Sequence, residues 1–99
     1  MSRHIFHSRQ GGKSIEVALG CNPPSDSCFL TVGEDGETVY SVFEEADAFN
    51  KPLSYFRSIL DELQVKVPES MSIEVEIDKR TKNGQRMMLH QPDGTIAPA

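Results

Sequence analysis

Four segments in the first half of the chain have the apolar and polar patterning of strands with one buried face. In the clearest of them, Ile15, Val17 and Leu19 alternate with polar or small residues and would share one face. The predicted strands are His4–Ser8, Ser14–Leu19, Cys28–Val32 and Thr38–Phe43. A Gly-Gly pair follows the first and an Asp-Gly pair follows the third, both typical of hairpin turns. The pattern therefore predicts a meander of three or four antiparallel strands.

The spacing of apolar residues becomes helical after Pro52. Leu53, Phe56, Leu60 and Leu63 recur at intervals of three or four residues. A proline in the first turn is common in helices because its missing N–H would have no partner there. We therefore predict a helix over 52–64 that covers the sheet with this apolar stripe.

Residues 69–82 carry two conflicting signals. Their apolar residues alternate with polar ones, which by period alone indicates an amphipathic strand. The ends of the segment instead favour a helix, because Pro68 and Glu69 suit an N-terminus while a basic cluster and Asn83-Gly84 suit a C-terminus. We predict a helix that buries Met71, Val75 and a flanking isoleucine, with a strand as the alternative.

The end of the chain predicts one more strand over Gln85–His90, built on Arg86-Met87-Met88-Leu89, then a turn at Pro92-Asp93-Gly94 and a frayed tail over 91–99. Together these elements predict a single α+β domain over 1–99. Its core would be an antiparallel sheet of three to five strands with one or two helices packed on one face.

The composition fits this fold and suggests a location. The chain has 99 residues, of which 37% are hydrophobic, and no apolar run approaches the roughly 20 residues needed to span a bilayer. The N-terminal segment has no apolar stretch typical of a secretion signal. We therefore predict a cytoplasmic protein.

The net charge of −5 conceals an uneven distribution. Residues 1–13 carry three basic residues and no acidic ones, whereas residues 14–49 carry eight acidic residues and no Lys or Arg. A block of one sign can be a solvated face or a docking surface for a partner of opposite charge. The acidic residues that we take as candidates for binding a partner protein are Glu34, Asp35, Glu37, Glu44 and Glu45.

A basic cluster near the C-terminus suggests a second kind of partner. It would contact phosphates of a nucleic acid through Lys79, Arg80, Lys82 and Arg86. Single-strand binding would also need exposed aromatic residues among these cations, and the sequence has none there. The overall negative charge disfavours nucleic acid further, so we keep it as the alternative.

Catalytic and metal-binding patterns are weak. Cys21 and Cys28 could form a disulfide, but nothing in the sequence indicates an oxidising compartment. A zinc site with His4 and His7 is disfavoured because side chains three apart on a strand project to opposite faces and the cysteine spacing is not that of a structural site. We therefore expect small half-buried residues at strand ends. Gly12-Lys13-Ser14 lacks the first glycine of a phosphate-binding loop. No histidine lies in a recognisable nucleophile motif, so we predict neither an enzyme nor a cofactor.

Several segments resemble a group of small uncharacterised bacterial proteins often carried with mobile elements. The resemblance rests on the following stretches: His4-Ile5-Phe6-His7, Leu19 to Pro24, Phe29 to Val32, Val39-Tyr40-Ser41, Leu53 to Phe56 with Leu60, Val67-Pro68-Glu69, and Asp78 to Arg80 before Asn83-Gly84. Such relatives tend to have Trp-Asp and Pro-Leu-Gln-Gly in the first loop, where this chain has Cys21-Asn22 and Pro24-Ser25-Asp26. The resemblance implies an α+β domain with a helix after Pro68 and no known activity.

Taken together, these patterns favour a non-enzymatic protein-binding or regulatory module with an acidic surface. The unpaired edge of a short sheet would also allow a homodimer.

Overall fold

The computed structural model describes residues 2–22, 27–46, 51–81 and 86–98 and contains a six-stranded mixed sheet. Its strands are β1 (Arg3–Gln10), β2 (Lys13–Asn22), β3 (Ser27–Glu34), β4 (Glu37–Ser41), β5 (Met87–His90) and β6 (Ile96–Pro98). Their order across the sheet is β4-β3-β2-β1-β5-β6. All neighbours are antiparallel except β1 and β5, which are parallel.

The α+β class is confirmed, but the sheet has more strands than predicted and is mixed rather than wholly antiparallel. The first four strands form the expected meander, and both hairpin turns have two consecutive residues of positive φ, Gly11-Gly12 and Asp35-Gly36. The chain then crosses to the far side of β1, so β5 enters parallel to it. The tail, predicted to be frayed, instead adds β6 to β5, because the turn after Gln91 folds it back onto the open edge.

Two helices follow the meander. They are α1 (Leu53–Glu62) and α2 (Glu69–Thr81), preceded by a short 3₁₀ turn at Val42–Glu44. The helical prediction for 69–82 is therefore confirmed as far as Thr81, and residue 82 lies outside the described residues. In α1, Phe56 and Leu60 are buried, Leu53 is partly buried and Leu63 is exposed.

The core lies between the helices and one face of the sheet. Alternate residues of the three central strands point to this face, and the register aligns Phe6 with Val17 and Val17 with Val32. Phe56 of α1 and Met71 of α2 are fully buried in the same apolar cluster. Burying large apolar side chains stabilises a fold by roughly 1.5–3 kcal/mol each, so this layer supplies most of the driving force.

On the opposite face, Gly20 permits the close approach of the N-terminal segment. A Cβ atom at this position would lie 2.1 Å from the carbonyl oxygen of Ser2 and 2.9 Å from the ring of Phe29. The backbone of Ser2 pairs with Cys21, with its N–H donating to the Cys21 carbonyl at 2.9 Å. Gly20 therefore fixes where the chain begins its first strand.

Cys21 and Cys28 form a disulfide, contrary to the expectation of small half-buried strand-end residues. They face each other directly across β2 and β3, with Cα atoms 3.9 Å apart, and both are buried. The pairing follows from the long hairpin, which brings residues seven apart in sequence into register. Disulfides persist mainly in oxidising compartments, and the cytoplasmic location stays a prediction.

Reduction of the disulfide is expected to lower the free energy of unfolding by about 2 kcal/mol, because it frees a short loop in the unfolded chain. Urea unfolding with and without reductant measures the difference. The double variant Cys21→Ala/Cys28→Ala is the control and should not respond to reductant. Equal midpoints for the oxidised and reduced wild-type protein would contradict the prediction.

Candidate functional site

A buried polar cluster joins the first strand, the second helix and the fifth strand. Its centre is His4, whose side chain is fully buried on the helix-facing side of β1. Alternation along the strand places His4 on the same face as Phe6. The parallel register with β5 places His4 beside Met88, two residue pairs from His90. Asp78 of α2 and His90 of β5 are also buried. Three ionisable side chains therefore meet in the core.

These side chains form a continuous chain of hydrogen bonds. Nε2 of His4 lies 2.6 Å from Oδ2 of Asp78, and Nδ1 of His4 lies 2.7 Å from Nε2 of His90. The other ring nitrogen of His90, Nδ1, lies 3.1 Å from Oγ of Ser70. Ser70 is half-buried in the first turn of α2. The order is carboxylate, imidazole, imidazole, hydroxyl, with each pair at hydrogen-bonding distance.

Arg86 supports the carboxylate end of this chain. Its Nε lies 3.0 Å from Oδ1 of Asp78 and donates to Oδ2 at 3.3 Å, while its terminal nitrogen contacts Oε1 of Glu74 at 3.0 Å. The guanidinium thus bridges two carboxylates on successive turns of α2. A buried carboxylate is costly unless it is paired, and here Asp78 has both His4 and Arg86 as partners.

His90 is held in its neutral form. Burial disfavours the charged imidazolium, and the neighbouring His4 adds to this effect, so the pKa of His90 falls to about 4. Ser70 and His4 still satisfy both ring nitrogens. The cluster therefore keeps an uncharged histidine between a hydroxyl group and a second histidine at neutral pH.

Sequence reasoning missed this cluster, although one signal was present. Met71, Val75 and Asp78 are separated by four and three residues, a spacing that places them on one side of α2. They are the three buried residues of this helix. Ile73 and Ile77, one of which we expected to be buried, are exposed. An aspartate on the inward face of a helix needs a buried partner, and His4, on the apolar face of its strand, was the available one.

The predicted acidic residues occupy two ends of β4. Glu34, Asp35 and Glu37 lie at the β3–β4 hairpin, whereas Glu44 and Glu45 lie in or just after the 3₁₀ turn. Two of the hairpin acids have internal partners. Nζ of Lys13 lies 2.7 Å from Glu34, and the Ser14 N–H donates to Asp35 at 2.9 Å.

Glu45 is also engaged within the molecule. The hydroxyl groups of Tyr40 and Tyr55 each donate to one of its carboxylate oxygens, the second at 2.6 Å. These bonds lower the pKa of Glu45 and, together with partial burial, raise that of Tyr40. Glu45 therefore ties β4 to α1. The exposed acids of the predicted set are Asp35, which accepts from the Ser14 N–H, and Glu37 and Glu44.

The predicted basic patch is not a continuous free surface. Arg86 is bound to Asp78 and Glu74, so its charge is largely neutralised. Arg80 is exposed and Lys79 is half-buried at the end of α2, and Lys82 lies outside the described residues. In the part of the chain that the structure describes, no group of three or more histidine, cysteine or carboxylate side chains has the arrangement of a metal site.

Comparisons with protein families, with curated proteins and with solved structures gave no match to this chain. The resemblance to small bacterial proteins therefore stays a prediction. Neither of the two described helices is long and apolar enough to cross a membrane.

Acidification is expected to destabilise the protein between pH 6.5 and pH 4. The pKa of His90 is depressed in the folded state, so the unfolded chain binds a proton in this range that the folded chain does not. A depression from 6.5 to about 4 corresponds to a loss of about 3 kcal/mol on completion. Urea unfolding at several pH values checks this.

In that series, His7→Gln is the control, because His7 is exposed and its variant should keep the wild-type slope of stability against pH. His90→Gln should flatten that slope. A wild-type stability that is constant over this range would refute the assignment.

Replacement of Asp78 by alanine is expected to lower the free energy of unfolding strongly. Asp78→Ala leaves His4 and Arg86 without their buried acceptor, which costs about 3 kcal/mol or more. Asp61→Ala, an exposed carboxylate on α1, should change the free energy of unfolding by less than about 0.5 kcal/mol. Thermal or urea unfolding distinguishes the two, and similar effects for both variants would contradict the proposed role of Asp78.

Proposed function

We propose that this protein is a protein-binding module that adds an extended, basic segment of a partner to the outer edge of β4. The observation that carries the proposal is the combination on this edge of exposed apolar side chains with exposed carboxylates. Val39 and Glu37 lie on β4, where Val39 is 45% exposed, and Phe43 and Glu44 lie in the 3₁₀ turn that follows it, where Phe43 is 52% exposed and stacks on Phe29. Strand addition uses main-chain hydrogen bonds for affinity and alternate side chains for specificity.

The two edge strands of the sheet, β4 and β6, differ in how well they could pair with an added strand. β6 has three residues and ends at Pro98, which has no N–H to donate. β4 has five residues without proline, and β3 is its neighbour on the inner side. The register with β3 changes between Val32, which pairs with Tyr40, and Gly33, which pairs with Thr38, so Val39 is the extra residue of β4 there. A partner strand would pair on one side of this irregularity.

Charge favours a basic partner over a second copy of this chain. Residues 14–49, which contain β4, carry eight acidic residues and no Lys or Arg. Pairing β4 with itself would bring two such acidic segments together, which like-charge repulsion opposes. A segment with lysine or arginine at alternate positions would instead place its cations near Glu37 and Glu44.

The nucleic-acid alternative has less support. Its strongest cation, Arg86, already binds two carboxylates, and α2 itself carries Glu69, Glu74 and Glu76 near the remaining basic residues. A phosphate backbone would meet repulsion from these acids.

The proposal is tested with an eight-residue peptide that alternates lysine and valine. We expect binding to the wild-type protein that weakens with salt, with amide shifts in an NMR titration concentrated in residues 37–44. The charge-reversal variant Glu37→Lys/Glu44→Lys should bind at least about fivefold more weakly, since two attractions become repulsions.

The matched control is Asp61→Lys/Glu62→Lys, which makes the same change in net charge on the exposed side of α1. It should bind the peptide nearly as well as the wild type. Equal weakening in both double variants would mean that only net charge matters and would refute a site on β4. Amide shifts confined to other strands would refute it as well.

A further inference from the structure

We propose that Ser70 is a nucleophile activated through His90, His4 and Asp78, and that it accepts acyl groups from esters with a short apolar acyl chain. The proposal is independent of partner binding at β4, because the two sites share no residue. It rests on the direction of the hydrogen-bond chain and on an apolar groove beside it.

The chain of hydrogen bonds has a fixed direction when both histidines are neutral. The Asp78 carboxylate only accepts, so Nε2 of His4 must donate to it and Nδ1 of His4 must accept. His90 then donates through Nε2 and accepts through Nδ1. Among the residues that the structure describes, the donor for Nδ1 of His90 is the hydroxyl group of Ser70. Ser70 is thus placed to give its proton to a base.

The second histidine allows the base to act without remaining charged. When Nδ1 of His90 takes the serine proton, Nε2 of His90 can release its own proton to Nδ1 of His4 across 2.7 Å. The positive charge then lies on His4, 2.6 Å from the Asp78 carboxylate. Burial opposes a charge on His90, as its lowered pKa reflects, whereas His4 has a carboxylate to stabilise it.

An apolar groove lies close to this serine. It is an open depression of about 440 Å³ whose lining includes Phe6, Val67, Pro68 and Pro92. Phe6 is the direct neighbour of His90 in the parallel register, while Pro68 and Pro92 are two residues from Ser70 and His90 in sequence. Ser70 also lies in the first turn of α2, where the helix dipole favours developing negative charge. The proposal places the acyl chain of the ester in this groove and its carbonyl at Ser70.

The reaction is acyl transfer with water as the final acceptor. Oγ of Ser70 forms a bond to the carbonyl carbon, and its proton passes to His90 as the proton of His90 passes to His4. The carbon–oxygen bond to the alcohol breaks, and the protons return along the same path to the departing alkoxide. Water then attacks the acyl-serine by the same steps, which releases the acid and restores Ser70.

The experiment uses an alkyl fluorophosphonate and p-nitrophenyl butyrate on the full chain. Mass spectrometry of the labelled protein should place the phosphonate adduct on Ser70, with a rate at least about a hundredfold above that of Ser72, an unactivated serine on the same helix. Ser70→Ala should lose the adduct and at least about nine-tenths of the ester hydrolysis.

Ser72→Ala is the matched control and should keep both properties. Because Ser70 is half-buried and small, the alanine variant is expected to fold, and circular dichroism verifies this. Ester hydrolysis that persists in folded Ser70→Ala would overturn the proposal, as would a wild-type protein in which Ser70 labels no faster than Ser72.

Discussion

The bond between His4 and Asp78 joins two layers that otherwise meet mostly through apolar contacts, with the bond between His90 and Ser70 beside it. At 2.6 Å, with both side chains buried, it connects the central strand of the sheet to the second helix. Apolar packing is non-directional and tolerates a helix that slides or turns, whereas a buried hydrogen bond fails unless both groups keep their positions. His4 also binds His90, so the same imidazole fixes the parallel strand β5 against β1. The relative placement of β1, α2 and β5 therefore depends on one side chain.

Residues whose local pattern determines their structure were predictable. The two hairpin turns followed from Gly-Gly and Asp-Gly, and α1 followed from the spacing of Leu53, Phe56 and Leu60. For α2, terminal residues outweighed an alternating pattern that would suit a strand. Local signals were sufficient in these cases because each element is specified by its own side chains.

Long-range pairing could not be predicted in the same way. The partners of His4 lie 74 and 86 residues further along the chain, and no local spacing relates them. The parallel placement of β5 and the addition of β6 depend on where two helices return the chain. Likewise, the acidic character of residues 14–49 was visible in sequence, but the tyrosine partners of Glu45 became evident only with β4 and α1 in place.

The position of β5 next to β1 has a consequence for synthesis on the ribosome. The first strand emerges early and can pair with β2, but its other edge and the imidazole of His4 have no partners until residues 78–90 have been made. An unpaired central strand with a buried polar group is a poor intermediate, since non-local contacts must be closed before the core is stable. The sheet of this protein is therefore completed only once residues 78–98 have been made, and the nascent chain depends on the N-terminal hairpins to remain ordered until then.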